Sequence, residues 1–372
     1  MFARHVVAGG DDAARVARTI VEGLHAPDLR CAFVFADWRL DPQVIARHTQ
    51  RALPAPVAGG TTVGVIAPQA ASREPSAVGL GLYGDWLRVG VGICTELSKS
   101  PLTRSRDAVH AAATALGTTS DHLDAARHTA ITIFDGRSGH EEAFCIGSAA
   151  AAPRIRFVGG CVATDAPSNQ PFTWVNGEVM SDAGVVVILD SELPCHAVTS
   201  SHLVPTEIKT VVTGASGRSI TELDGRPAAA RFRDLIAQLG DTLEGRPTYS
   251  FARYVDGTPY VRSIRHLEGT TIQLASGVEP GHVLRVMRPG DLIGQTTRDL
   301  AAATAKVGGS LAALLAFSCV GRHWEASIRG LDRELAAAYA KYSSVGFQSF
   351  GEQSGMLLVN HTLTGLAIGA RR

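Results

Sequence analysis

The chain has 372 residues, 45% of them hydrophobic and 19% charged, a globular balance with enough length for two or three domain-sized cores. Its 35 basic and 35 acidic residues cancel, so no global field draws it to nucleic acid or to an anionic membrane, and any anion site must be local. An aromatic content of 6% is too low for a base-stacking platform.

From the N-terminus, MFARHVVAGGDDAARV lacks the apolar core of a signal peptide, and no segment has the length of a membrane span. A soluble protein of the cytoplasm is expected. A helix then starts at Asp11 (DDAARVARTIVEGL), followed by a strand (CAFVFADWR), a helix from Pro42 to Ala52, the turn AGGTTVG and the strand DWLRVGVGI. The same order of parts returns as SRDAVHAAATAL, TAITIFDGR, a short helix at 141–146, VGGCVATD and AGVVVILD. It returns again as TTRDLAAATAKV, LLAFSCVGR, the helix ASIRGLDRELAAAYAKY, VGFQSFGE and GMLLVNHTLTGLAI. An arginine closes each first strand (Arg39, Arg137, Arg322), and a glycine follows it by 20, 22 and 24 residues (Gly59, Gly159, Gly346). Three matches in one order indicate an internal repeat. Strands alternating with helices, each strand a nearly continuous apolar run, predict an α/β fold with both sheet faces covered.

Between the second and third repeats, residues 195–296 read as a mixed α/β insertion. It comprises β-rich IKTVVTGASGRSITELDG, the helix RPAAARFRDLIAQLG and further strands. The six cysteines (Cys31, Cys94, Cys145, Cys161, Cys195, Cys319) stand at neither zinc-clamp nor disulfide-framework spacing. With no low-complexity linker, the expected architecture is three helix–strand–helix–strand repeats packed as two closely associated domains, 1–225 and 226–372. Repeats one and two fall in the first domain. The rest of the insertion and repeat three fall in the second.

The stretches ITELDGRPAA (220–229), YVRSI (260–264), FSCVGR (317–322), GFQSFGE (346–352) and NHTLT (360–364) resemble the FIST domain, a paired N-terminal and C-terminal module. GGTTVG (59–64) and WVNGEV (174–179) are similar to its N-terminal half, so the resemblance runs from about Cys31 to Ile368. It implies a bacterial sensory module that binds small molecules such as amino acids, in some members haem for nitric oxide sensing, with signalling proteins as partners. The chain departs from the pattern at Val65, where an acid is expected, and at His323 and Trp324, where small residues are usual.

Candidate site residues follow from position. Ligands of α/β sheets gather beyond the carboxyl ends of strands, where Arg39, Arg137 and Arg322 stand. A guanidinium there either forks onto a ligand carboxylate or pairs with a local acid such as Asp37 or Asp135. Arg322 has no acid before it, which favours a ligand. The Gly-rich turns place Thr61, Cys161 and Gln348 at equivalent points, and Glu352 faces either an amine or Arg322. Cys319 beside a cation is a candidate nucleophile, but with no base–acid relay in the repeats a buried thiol is the preferred reading. No histidine stands at HExxH spacing, so no metal is expected, while His140, His196, His202, His323 and His361 remain open as haem ligands. The functional reading is a sensor of an anionic or zwitterionic metabolite without its own output domain. The alternatives are a haem-based gas sensor and an enzyme of small-molecule metabolism using Cys319 or Arg322 with Glu352.

Overall fold

The computed structural model describes residues 2–68, 74–168, 170–243, 248–255 and 257–370. The first unit runs β1 (Ala3–Gly9), α1 (Ala13–Leu24), β2 (Leu29–Asp37), α2 (Pro42–Ala52), β3 (Val57–Thr62), β4 (Val65–Ile66), β5 (Ser76–Tyr83). The second runs β6 (Leu87–Cys94), α3 (Pro101–Ala115), β7 (His128–Asp135), α4 (Glu141–Ala151), β8 (Arg156–Val162), β9 (Thr173–Val175), β10 (Glu178–Met180), β11 (Gly184–Ser191). The strand expected to end the first unit therefore opens the second, and β5 takes the closing place.

The third unit starts with β12 (Cys195–Ser200) and is then interrupted. The inserted elements are β13 (Val204–Ser216), β14 (Ser219–Leu223), β15 (Arg226–Pro227), α5 (Ala228–Ala237), β16 (Ser250–Val255), β17 (Thr258–Arg262), β18 (Ile264–Glu268), β19 (Thr271–Leu274) and β20 (Val283–Arg288). The unit resumes with α6 (Leu292–Lys306), β21 (Leu311–Cys319), α7 (Val320–Ile328), α8 (Asp332–Lys341) and β22 (Ser344–Ser349). It ends with β23 (Glu352–Ser354), β24 (Leu357–Val359) and β25 (Leu363–Gly369). The insertion is shorter than 195–296, because β12 pairs with β25 and α6 packs on the third sheet.

Each unit builds one sheet with the same plan. A parallel pair (β2/β3, β7/β8, β21/β22) is flanked by an antiparallel closing strand (β5, β11, β25) and then an edge strand (β1, β6, β12). The far edge of each sheet is completed by another unit. The β9–β10 hairpin of unit two joins β3, β23–β24 of unit three joins β8, and β4 of unit one joins β22. The three sheets are thus tied into a closed ring. Such exchange covers an edge that would otherwise expose unpaired backbone groups.

The alternation of strand side chains explains why the strands look apolar throughout. Cys31, Phe33 and Phe35 of β2 face a core shared by all three sheets, while Ala32, Val34 and Ala36 face α1 and α2. In β21, Ala313, Leu315 and Phe317 face the shared core, and Leu314 and Ala316 face the helices. Phe35, Phe317 and Phe347 meet at its centre, with ring centroids 4.6 to 6.3 Å apart. Each large apolar side chain so buried contributes roughly 1.5–3 kcal/mol. The insertion has its own core around Phe232, Phe251, Ile272 and Leu284, and its sheet order is β17-β16-β20-β13-β14-β19-β18. Among the described residues no helix is long and apolar enough to cross a membrane.

Candidate functional site: a cavity between the ring and the insertion

The register of the three parallel pairs makes Asp37, Asp135 and Cys319 equivalent, opposite Thr62, Val162 and Ser349. Two residues on come Arg39, Arg137 and Gly321, so the arginines of the first two units match and the third is displaced by one. Their side chains have three different fates. Arg39 forks onto its own Asp37, with Nε and Nη2 each 2.8 Å from a carboxylate oxygen. Arg137 does not do the same: Asp135, like Asp37, accepts the backbone N–H two residues on, at 2.7 Å, but its other oxygen is taken by the Asp182 N–H at 2.9 Å. Its guanidinium instead lies over the Phe350 ring, 4.8 Å from the centroid, and its Nε has no hydrogen-bond partner. In the third unit β21 passes directly into α7, and the helix turns Arg322 inward. Arg322 is 0% exposed, donates to Thr296 Oγ1 at 2.6 Å and faces His202 Nδ1 at 3.4 Å.

A cavity of about 450 Å³ opens beside Arg137, between the second and third units and the insertion. The ring contributes Arg137, Asp165, Phe350, Trp324 and the Cys319–Gly321 junction of β21 with α7; the insertion contributes Ser263 to His266 and Ala275. This volume and the mixture of apolar walls with a few charges suit a small metabolite. Arg265 of β18 is the second guanidinium of the cavity, and sequence reasoning missed it. Neither it nor Arg137 forms an ion pair among the described residues. Burial, reinforced by the positive charges of Arg218 and Arg137, pulls the Arg265 pKa below its ordinary value. The neighbouring Arg218 and Arg262 are paired, with Glu141 and Glu142 at the start of α4, and so dock the insertion on the ring.

The other expected residues are distributed unevenly. Cys319 lines the cavity, but burial pushes its thiol well above the usual range, as for an inert core cysteine. Glu352 stands behind it, fully buried, in hydrogen-bond contact with Cys319 and accepting Ser349 and Thr362 hydroxyls at 2.5 Å each. In the ring of exchanged strands Glu352, Thr173 and Val65 are equivalent, so of the three places only the third unit's carries an acid. Thr61 is buried, accepts the Phe172 N–H at 3.0 Å and orients the approach to β9. Cys161 is buried, its N–H donating to Gly351 at 2.8 Å, and Gln348 packs against Gly64. Arg39, Arg322, Gln348, Thr61, Cys161 and Glu352 do not line the cavity.

Burial raises the Glu352 pKa from 4.5 to about 8, against hydrogen bonds that lower it. The folded protein therefore holds a proton there that the unfolded chain releases. Stability from this group is complete below pH 4.5 and is lost as pH rises through 8. Relative to Glu352→Gln, the wild type is expected to lose about 1.4 kcal/mol per pH unit over that window. Urea unfolding at pH 6 and 8.5 checks this, and a constant gap between the two proteins would refute it.

A second buried cluster lies behind α7. Glu325 Oε2 accepts Nε2 of both His202 and His361 at 2.8 Å, and Oε1 accepts Arg329 Nη1 at 2.6 Å. Two imidazoles and a carboxylate are also a zinc-type ligand set, with donor atoms within 4.8 Å of one another. Here the Arg322 guanidinium, which can only donate, faces His202 Nδ1. Nδ1 is then the acceptor, and Nε2 keeps its proton for Glu325. The trio is arranged as a hydrogen-bonded junction rather than a cation site. The histidines left open as haem ligands have these places. His202 and His361 are committed to Glu325, His323 is buried against Tyr339, and His140 and His196 lie outside the cavity lining.

These features define an α/β protein with a cavity beyond the carboxyl ends of its strands. The FIST N domain matches residues 30–226 and the FIST C domain residues 228–355, so the chain belongs to the FIST family, whose domains are sensory and bind small molecules. An uncharacterized protein of Methanocaldococcus jannaschii is 31% identical over 84 residues, 23% of this chain. The match spans only 16% of that protein's length. Among solved structures, cyanuric acid hydrolase from A. caulinodans aligns over 100% of this chain and 99% of its own, with 11% identity and a TM-score of 0.35. That likeness is too distant to bear on activity or substrate.

Proposed function

We propose that this protein senses a small metabolite bearing a carboxylate or similar anion, bound in the cavity between the ring and the insertion. Arg137 and Arg265 are the anion-reading groups, Phe350, Ile264 and Trp324 form apolar walls, and the exposed Asp165 at the rim offers a partner for an amine. The observation that carries this reading is the contrast between two equivalent arginines. Arg39 is closed onto its own aspartate, whereas Arg137 leaves its aspartate to backbone donors and enters a cavity. A half-buried guanidinium whose acids, Asp165, Asp135 and Glu141, act only at a distance gains from a ligand anion in direct contact.

The residues expected from the repeat pattern take supporting roles in this proposal. Cys319 is a wall, Glu352 fixes the turn behind it, and Arg322 holds α7 in the core. The six unpaired cysteines, five of them buried, support a reducing compartment such as the cytoplasm. Screening amino acids and organic acids by thermal shift identifies ligands, since native-state binding raises stability by mass action. Arg137→Ala is then expected to weaken binding by roughly one to two powers of ten, the worth of one charge-assisted bond. Titration calorimetry giving the same affinity for the variant would move the ligand elsewhere.

A further inference from the structure

We infer that the ligand of this cavity carries two negative charges, one for each of two opposed arginines, and that in binding it ties the insertion to the ring. This rests on the proposed anion-binding function and goes further by fixing the charge class of the ligand. Arg137 projects from the end of β7 in the ring, and Arg265 projects from β18 in the insertion, so the two cations reach the same cavity from separate bodies. Neither is ion-paired among the described residues, although the adjacent Arg218 and Arg262 have Glu141 and Glu142. The two pairs dock the insertion; the two unpaired arginines oppose that docking by like-charge repulsion. Asp165 lies on the exposed rim, forms no ion pair among the described residues and counters the Arg137 charge only at a distance. A monoanion makes direct contact with one guanidinium and leaves the other to the more distant charges of Asp165, Asp135 and Glu141, whereas a dianion contacts both and converts repulsion into a bridge.

Two chemistries supply two charges on a small molecule, a dicarboxylate and a phosphate, and succinate and inorganic phosphate distinguish them. At constant ionic strength and pH 7.5, one of these is expected to bind wild type about ten- to a hundredfold tighter than acetate or glycine, the effect of one further charge-assisted contact. Without ligand, Arg265→Gln is expected to melt at or above the wild-type temperature, because it removes the repulsion. The same variant should bind the dianion no better than acetate. A lower melting temperature for unliganded Arg265→Gln would mean a structural arginine and overturn the inference. Acetate or glycine binding as tightly as the dianions, in a manner lost in Arg137→Ala, would also overturn it while leaving the proposed function intact. If none of the four bound in an Arg137-dependent way, both readings would fall.

Discussion

Gly346→Ala is expected to cost at least about 3 kcal/mol, at or beyond the upper end of ordinary overpacking, and to leave little soluble protein. A Cβ built on Gly346 would stand 1.7 Å from the carbonyl oxygen of Ala316 and 2.7 Å from its carbon. The obstacle is backbone in the middle of β21, held on one side by β22 and on the other by β25, so it cannot swing aside as a side chain would. The collision recurs at the equivalent places, with Gly59 1.7 Å from Val34 O and Gly159 2.2 Å from Thr132 O. Each parallel pair thus approaches more closely than any side chain permits. Gly277→Ala is the control, because its nearest neighbour is the far end of Glu142 at 3.1 Å, and a change within about 0.5 kcal/mol is expected. Urea midpoints of the two variants make the comparison. Comparable stability of both would show that the strands can separate without cost.

That glycine requirement is also why the repeat was legible in the sequence. Strand alternation, an arginine two residues past the strand and a glycine within the next parallel strand all follow one backbone plan. What the sequence concealed depends on distance. Arg322 falls inside the same motif as Arg39 and Arg137, yet the absence of a turn between β21 and α7 shifts it by one residue and rotates it into the core. Arg265 follows directly after the YVRSI stretch, but its meaning depends on β18 folding back over Arg137, more than a hundred residues earlier in the chain. The exchange of β4, β9–β10 and β23–β24 among sheets was likewise invisible, since two- and three-residue strands carry no periodicity to read. His202 and His361 were legible only as histidines; that a single carboxylate joins them follows from the fold.

Glu325→Gln is expected to destabilise the protein by about 3–5 kcal/mol, the cost of breaking a buried ionic network by removing one partner. The carboxylate is 1% exposed and joins three segments. These are His202 before the insertion, His361 in the turn between β24 and β25, and Arg329, whose Nη1 also donates to Gly290 O at 3.0 Å on the return from the insertion. An amide has one acceptor where three donors now converge, and its NH₂ would confront an imidazole N–H. Arg329 would also lose its ion-pair partner. The pH dependence identifies the cause. Burial alone would raise the Glu325 pKa, but the hydrogen bonds from His202 and His361 hold it well below the usual carboxylate range. Its stabilisation is therefore present above pH 4.5 and is lost as pH falls further. Burial lowers His202 from 6.5 to about 4, so the unfolded chain takes up a proton that the folded protein refuses, and stability already declines as pH drops from 6.5. Wild type and Glu325→Gln should accordingly differ most near neutrality and converge in acid. Chemical denaturation from pH 7 to pH 3 measures this, and a difference at pH 7 below about 1 kcal/mol would show that the junction is held by packing around α7 rather than by its charge.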